Sequence, residues 1–253
     1  MAEARSPAGA AASREQALTR ALAALAADPS AALAADPSAA VAGDASGAVA
    51  SDAPAALAAD AFAVSEGARA GLSAWLEGIV TWNTRIDLTA ARSDDELVDL
   101  MVADAVVLAR HLPRGARVAD IGSGAGAPGL ALALLRPDLE LTLVEPLDRR
   151  VAFLRRTIGA LPGPPSARPT VVRGRGEALV QQGRTFDVAL SRATLPPPEW
   201  LALGDKLAPE GEVWVLLAQG EPPSLPARRL ASDVPYRWPL TDVPRRALRF
   251  PRA

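Results

Sequence analysis

The sequence predicts an α/β domain: a mainly parallel sheet covered by helices on both faces, with a helical extension in front of it. Three observations carry that prediction. From Arg117 onward, short apolar runs of strand length alternate with helical patterns, as expected of parallel strands joined by helical crossovers. The first of those runs empties into a glycine-rich turn, Gly122-Ser123-Gly124-Ala125-Gly126. Upstream, between residues 61 and 112, apolar residues recur at helical rather than strand spacing.

Residues 1–60 have a different texture. Ala fills 31 of the first 70 positions, and ALAADPSA at 24–31 is repeated at 32–39. The acid recurs at Asp28, Asp36, Asp44, Asp52 and Asp60, while Pro29, Pro37 and Pro54 interrupt any lengthening helix. No repeat supplies more than one Leu or Val to bury. A low-complexity, mostly disordered arm with transient helix is therefore expected over 1–60. The folded domain is expected over 61–253, its helical extension occupying 61–112.

The extension begins with a stripe of Phe62, Val64, Leu72, Trp75, Leu76, Ile79, Val80 and Trp82. Ser93-Asp94-Asp95-Glu96 has the form of a capping box and starts a second helix. That helix runs through Leu97, Leu100, Met101, Asp104, Val107 and Leu108 and stops before Pro113. Strands are expected at 117–121, 141–144, 170–172, 186–190 and 213–217, and helices at 130–135, 147–158 and 199–207. The Pro/Gly-rich stretch 162–169 reads as a loop. Weaker strand signals at 234–238 and 247–250 are flanked or interrupted by Pro235, Pro239, Pro244 and Pro251, which suit only strand edges and ends.

Composition excludes several chemistries. With no Cys there is no disulfide framework, thiolate–metal site or Cys nucleophile. The single His, His111, cannot build a His-rich metal cage, and its place at a helix end suggests an interaction with the helix dipole. The 27 basic and 29 acidic residues leave a net charge of −2. Residues 1–70 carry 4 Arg and 8 acids, and the remainder 23 basic and 21 acidic groups, so an acidic arm precedes a mildly basic domain. No apolar run approaches the ~20 residues of a membrane span. The expectation is a cytoplasmic monomer that uses neither membrane nor metal.

The loop Asp120-Ile121-Gly122-Ser123-Gly124-Ala125-Gly126-Ala127-Pro128-Gly129 places backbone N–H groups at the carboxyl edge of a sheet. Residues 124–129 satisfy the dinucleotide pattern G-x-G-x-x-G. The glycines, however, begin at Gly122, two residues after an acid. A carboxylate at Asp120 suits the ammonium of S-adenosyl-L-methionine better than a pyrophosphate. Glu145, ending the second strand, could accept from both ribose hydroxyls of either cofactor.

These residues, with Arg149-Arg150-Val151-Ala152-Phe153-Leu154, Arg175-Gly176-Glu177, Ser191-Arg192-Ala193, Trp82-Asn83 and Asp87-Leu88-Thr89, resemble the small-subunit rRNA guanine-N7 methyltransferases, known as RsmG or GidB. The resemblance covers about Gly71 to Gly220. It implies a class I, Rossmann-like methyltransferase fold with a seven-stranded sheet and an N-terminal helical extension. It also implies S-adenosyl-L-methionine as cofactor and methylation of a guanine in the decoding-region loop of 16S rRNA, on the rRNA or the 30S subunit. On this reading Gly122 and Ala127 line the methionine and ribose side, and Asp120, Gly124 and Gly126 are the loop's other cofactor-binding candidates. Glu145 takes the ribose, Gly176 and Glu177 flank the adenine, and Arg192 sits over the donor end. No side chain need act as a catalytic base, because guanine N7 carries a lone pair and no proton. Arg149, Arg150 and Arg246 are the expected RNA contacts.

The match departs from the family on the side that faces RNA. Leu100 and Met101 stand where a basic residue and a His are usual, Leu217-Ala218 replaces a Lys-Gly step, and Asp87 replaces an Asn. Two other readings therefore remain open: a paralogue that methylates another RNA or a small molecule, and a non-catalytic ribosome- or partner-binding module.

Overall fold

In the computed structural model, which describes residues 7–28, 63–161 and 168–253, the chain opens on a helix, α1 (Pro7–Ala27). This corrects the expectation of an unpacked arm for that stretch. Ala17, Leu18, Ala21, Leu22 and Leu25 fall on one face and are buried in the main core. Arg14 bridges Glu77 and Asp94 at 2.5 and 3.2 Å, and Arg69 reaches Glu15 at 2.8 Å. The physical reason is visible in the sequence. Between Pro7 and Pro29 no proline interrupts a run rich in the strongest helix former, and three Leu share a stripe within it. The remainder of the arm, the Phe62 position and most of the 162–169 loop lie outside the described residues.

Serines open the next two helices. Ser65 accepts from the Ala68 N–H at 3.1 Å and caps α2 (Glu66–Asn83). Ser93 accepts from the Glu96 N–H at 3.1 Å and caps α3 (Asp94–Val98). Glu96 reaches back as a capping box requires, but to the N–H of Arg92, at 2.8 Å. After α3 the helix passes through a π-helical turn, Asp99–Ala103, into α4 (Asp104–Ala109).

The αβ alternation follows as β1 (Arg117–Ile121), α5 (Gly129–Leu135), β2 (Glu140–Glu145), α6 (Asp148–Ala160), β3 (Thr170–Arg173), α7 (Gly176–Gln181), β4 (Val188–Arg192), α8 (Pro197–Leu207) and β5 (Glu212–Leu217). It closes with β6 (Ser232–Arg237) and β7 (Pro244–Pro251). All seven strands form one sheet in the order β3-β2-β1-β4-β5-β7-β6. The first five are parallel, and β7 runs antiparallel between β5 and β6. The two strands with the faintest sequence signal are thus fully formed. Pro244 and Pro251 mark the two ends of β7, and Pro235 lies in the edge strand β6, where a missing N–H breaks the fewest ladder bonds.

Period-two alternation divides the sheet between two cores. Val118, Val188, Leu190 and Trp214 face α4, α5 and α6, while Ala119, Ile121, Ala189, Val213 and Val215 face α7 and α8. His111, just past the end of α4, stacks on Trp214 with ring centroids 5.7 Å apart. Among the described residues no helix is long and apolar enough to cross a membrane.

Candidate active site

β1 and β4 are neighbours in the sheet, but β2 and β3 separate them along the chain. The chain therefore turns opposite ways on leaving them, which opens a crevice at the carboxyl edge, the usual ligand position in an open α/β sheet. The glycine loop leaves β1 into this crevice. The Gly122 and Ser123 N–H groups both donate to the Val144 carbonyl, at 2.8 and 3.1 Å, tying the loop to β2.

The three loop glycines all have positive φ but serve different ends. A Cβ on Gly122 would lie 2.0 Å from Thr194 Oγ1, and one on Gly126 would lie 3.0 Å from the Leu130 Cβ and 3.2 Å from Leu154. Both positions are fixed by neighbouring protein. At Gly124 (φ +58°) a Cβ would meet nothing closer than the Gly122 carbonyl at 3.9 Å. Gly124 is the loop residue that faces open space.

Asp120 lies beneath the loop, fully buried. Its Oδ2 accepts the Gly129 N–H at 3.0 Å, and its Oδ1 has no hydrogen-bond partner. Burial raises the carboxyl to about 7, against the lowering influence of Ser123, the Gly129 N–H and Arg192. A buried acceptor without a donor calls for a polar ligand or water, so this position fits an ammonium-bearing cofactor. Glu145, also buried, accepts the Gly124 N–H through Oε2 and the Leu147 N–H through Oε1, both at 2.9 Å. Its carboxylate already staples the loop to β2, and the further lone pair on each oxygen is the capacity left for a ribose. Leu147, beside it, is 53% exposed. Its sequence pattern reads as the start of a helix; its position two residues after a strand-ending acid is the signal that it flanks the site.

The remaining expected cofactor residues border the same edge. Ala127 is buried and precedes Pro128 through a cis peptide bond. Gly176 opens α7, where a Cβ would press on Leu203 and Ile121 at 3.0 and 3.2 Å, and Glu177 is exposed in the first turn. Arg192, at the end of β4, does not hang free over the crevice. Its guanidinium donates to Asp104 at 3.0 Å and to the Leu100 carbonyl.

The sequence marks Asp104 only as one residue of the second helix. Its Oδ1 also accepts Tyr236 Oη at 2.7 Å and Trp238 Nε1 at 2.9 Å, so three donors from β4 and the β6 region converge on one buried carboxylate. Burial and the nearby Asp104 carboxylate push the Tyr236 hydroxyl well above its ordinary pKa. One helical turn earlier, Asp99 accepts from the Thr241 hydroxyl and N–H and from the Leu240 N–H. Asp99 begins the π-helical turn and Asp104 follows it. A turn of that kind often marks a functional position, and here it aims two carboxylates at the β6–β7 hairpin.

The expected RNA contacts separate into two places. Arg149 is exposed in the first turn of α6, and Arg150 donates to the Asp87 carbonyl at 3.0 and 3.1 Å. Close by, the Arg156 guanidinium lies 5.6 Å over the Trp82 ring. Arg246 sits at the far end of β5, opposite Leu217, and is paired with Asp233. A cleft of about 310 Å³ lies between the ends of β4 and β5, lined by Ser191, Ala193, Leu195, Trp200, Leu217 and Gln219 among others. A larger one, about 720 Å³, lies between α1 and the start of α3. Asn83 and Thr89 line it, but no glycine-loop residue and none of Glu145, Gly176, Glu177 and Arg192 does, so the expected cofactor residues lie elsewhere.

Comparison with known proteins agrees with this arrangement. The family model described as rRNA small subunit methyltransferase G (GidB) matches residues 69–224. The ribosomal RNA small subunit methyltransferase G of Anaeromyxobacter dehalogenans is 33% identical over 148 residues, covering 58% of this chain and 68% of that protein. Its namesake in Pseudarthrobacter chlorophenolicus is 43% identical over 119 residues, covering 47% of this chain and 53% of that protein, so this chain matches only about half the length of some relatives. Among solved structures, an O-methyltransferase from Bacillus cereus in complex with SAH superposes with a TM-score of 0.50 at 14% identity, over 70% of this chain and 90% of that one. At that identity the likeness speaks for the fold, a class I methyltransferase sheet. From the matched segment 69–224, which runs from α2 past β5 and contains the whole glycine loop, the chain belongs to the rRNA small subunit methyltransferase G family.

Proposed function

We propose that this chain transfers the methyl group of S-adenosyl-L-methionine to N7 of a guanine in the decoding-region loop of 16S rRNA, acting on the 30S subunit as a cytoplasmic monomer. The observation that carries the cofactor half is the combination, in the loop leaving β1, of an unpartnered, buried Asp120 Oδ1 with a Gly124 that faces open space. When bound, the cofactor supplies an electrophilic methyl on a sulfonium.

The chain's part is to hold. Asp120 meets the ammonium end, the second lone pairs of Glu145 take ribose hydroxyls, and Leu147 offers an apolar surface to the adenine. Gly176 and Glu177 border that same side. The cleft between β4 and β5 opens beside Ser191 and Ala193 and is large enough for a purine base. Guanine N7 needs no deprotonation, so the rate comes from holding it in line with the methyl group. Arg149 and Arg150 contact phosphates, together with the stacked Arg156–Trp82 pair.

A second reading has an observation of its own. Met101 is buried and the Leu100 carbonyl is taken by Arg192, so the positions that carry a basic residue and a His in the family offer nothing to RNA here. A paralogue acting on another RNA would look the same at the cofactor. The test is methylation of 30S subunits and of deproteinised 16S rRNA, both lacking the modification, with labelled S-adenosyl-L-methionine. Label confined to one guanine of the decoding loop supports the first reading. Label on neither substrate, from a chain that binds cofactor, favours the second.

A further inference from the structure

The glycine loop contains a peptide that its own sequence leaves undetermined. Between Gly124 (φ +58°) and Gly126 (φ +115°) lies Ala125, and the plane of the 125–126 peptide turns about the φ of Gly126, a residue with access to both halves of φ space. Inside the loop only one bond orients that plane, from the Gly126 N–H to the Ser123 carbonyl at 2.7 Å. The other end of the same peptide is held from outside. Trp75 Nε1 donates to the Ala125 carbonyl at 2.9 Å, with both groups buried.

Trp75 belongs to α2 and has no exposed surface. Its helix reaches the loop because Gly71, one turn earlier, lets α2 approach α5 closely: a Cβ there would lie 2.6 Å from Leu134 Cδ2. A Phe at position 75 would keep an aromatic ring in the same core, at a smaller volume. Only an indole brings a donor to the carbonyl.

We propose that Trp75 is a positioning residue for the cofactor: by fixing the Ala125 carbonyl it presets the loop in its binding conformation and makes the helical extension part of the methyl-donor site. This rests on the glycine loop being that site. Without the indole donor the loop must be ordered at the moment of binding, and affinity falls by that ordering cost. The same link runs in reverse, so an occupied loop steadies α2.

The test compares Trp75→Phe with Leu76→Ala, a core truncation on the same helix whose side chain is equally buried and makes no loop bond. Calorimetric titration with S-adenosylhomocysteine should show about tenfold weaker binding for Trp75→Phe, and less than twofold weakening for Leu76→Ala despite a similar or larger loss of melting temperature. Equal weakening in both variants, or none in Trp75→Phe, overturns the proposal. If either variant fails to fold, the wild-type chain decides. Amide exchange in residues 66–83 should slow when S-adenosylhomocysteine is added, and protection confined to the loop contradicts the link. A folded wild-type chain that does not bind S-adenosylhomocysteine overturns the methyl-donor reading itself, and the positioning role with it.

Discussion

The two ends of the sheet's carboxyl edge use their polar groups in opposite ways. At β1 and β2, bonding capacity is left open: Asp120 Oδ1 has no partner, Gly124 faces empty space, and Leu147 lies exposed. From β4 to β7, charge closes on itself. Arg192 is held by Asp104, Asp104 by Tyr236 and Trp238 as well, Asp99 by the Thr241 corner, and Arg246 by Asp233. An edge that binds a ligand keeps unsatisfied groups in register, whereas an edge that clamps a fold consumes them. The cofactor half of the crevice is thus poised for a ligand, and the other half is chiefly a tie between the helical extension and the terminal hairpin. On the proposed function, electrostatic capture of RNA falls to the Arg149–Arg150–Arg156 face.

The sharpest way to break this contrast is at Gly124. Gly124→Val places a branched side chain in the open space and in a left-handed backbone conformation. Affinity for S-adenosylhomocysteine should fall ~100-fold or more, while strain of about 1–2 kcal/mol lowers melting only modestly. Calorimetry beside a thermal scan separates the two effects, and retained affinity would show that the open side belongs to something else.

Asp120 gives the next effect, and its sign can be worked out. The carboxyl sits at 3.8 when unperturbed and is raised to about 7 by burial. In the apo chain its contribution to stability is therefore full below pH 4 and is lost as pH rises towards 7. If Asp120 meets the cofactor's ammonium as proposed, binding runs the other way, because the ammonium needs the ionised form. Affinity for S-adenosylhomocysteine should rise about tenfold from pH 6 to pH 8, and Asp120→Asn should be weaker and flat over that range. A wild-type profile as flat as the variant's would remove Asp120 from the site.

At the clamped end, the expected losses are in stability. Removing residues 1–28 exposes the surfaces that Leu18, Leu22 and Leu25 cover, and after the ordering entropy of the helix is offset a net loss of about 3 kcal/mol remains. The melting temperature should fall by several degrees; an unchanged value would return α1 to the status of an unpacked arm. Tyr236→Phe takes one of three donors from a buried carboxylate, at a cost of about 1–2 kcal/mol, and should leave affinity for S-adenosylhomocysteine within about twofold. The smallest effect is expected from Arg246→Ala. An ion pair already closed with Asp233 at the surface contributes roughly 0–1 kcal/mol, and methylation should be nearly unchanged where Arg149→Ala reduces it.

How much of this was legible in the sequence depends on separation along the chain. The glycine loop was readable because a strand-ending turn with successive positive φ values demands glycine, and all its parts lie within ten residues. Glu145 was readable as the acid ending the next strand. The Asp104 cluster was not, since its donors lie 88, 132 and 134 residues away and nothing local to any of them announces the others. α1 was obscured by its neighbours: the repeat that suggests disorder begins at Ala24, inside the helix, and prolines past Asp28 coloured the reading of residues before it. The β6 and β7 signals were faint for a different reason. Their prolines sit at an edge and at strand ends, where structure tolerates them but pattern reading penalises them.

The most direct measurement is a calorimetric titration of the folded wild-type chain with S-adenosylhomocysteine at pH 8, where Asp120 is ionised. The account predicts saturable one-to-one binding that disappears in Gly124→Val. No heat from a chain that melts cooperatively, or binding that survives Gly124→Val unchanged, would contradict a methyl-donor site at the β1–β2 edge.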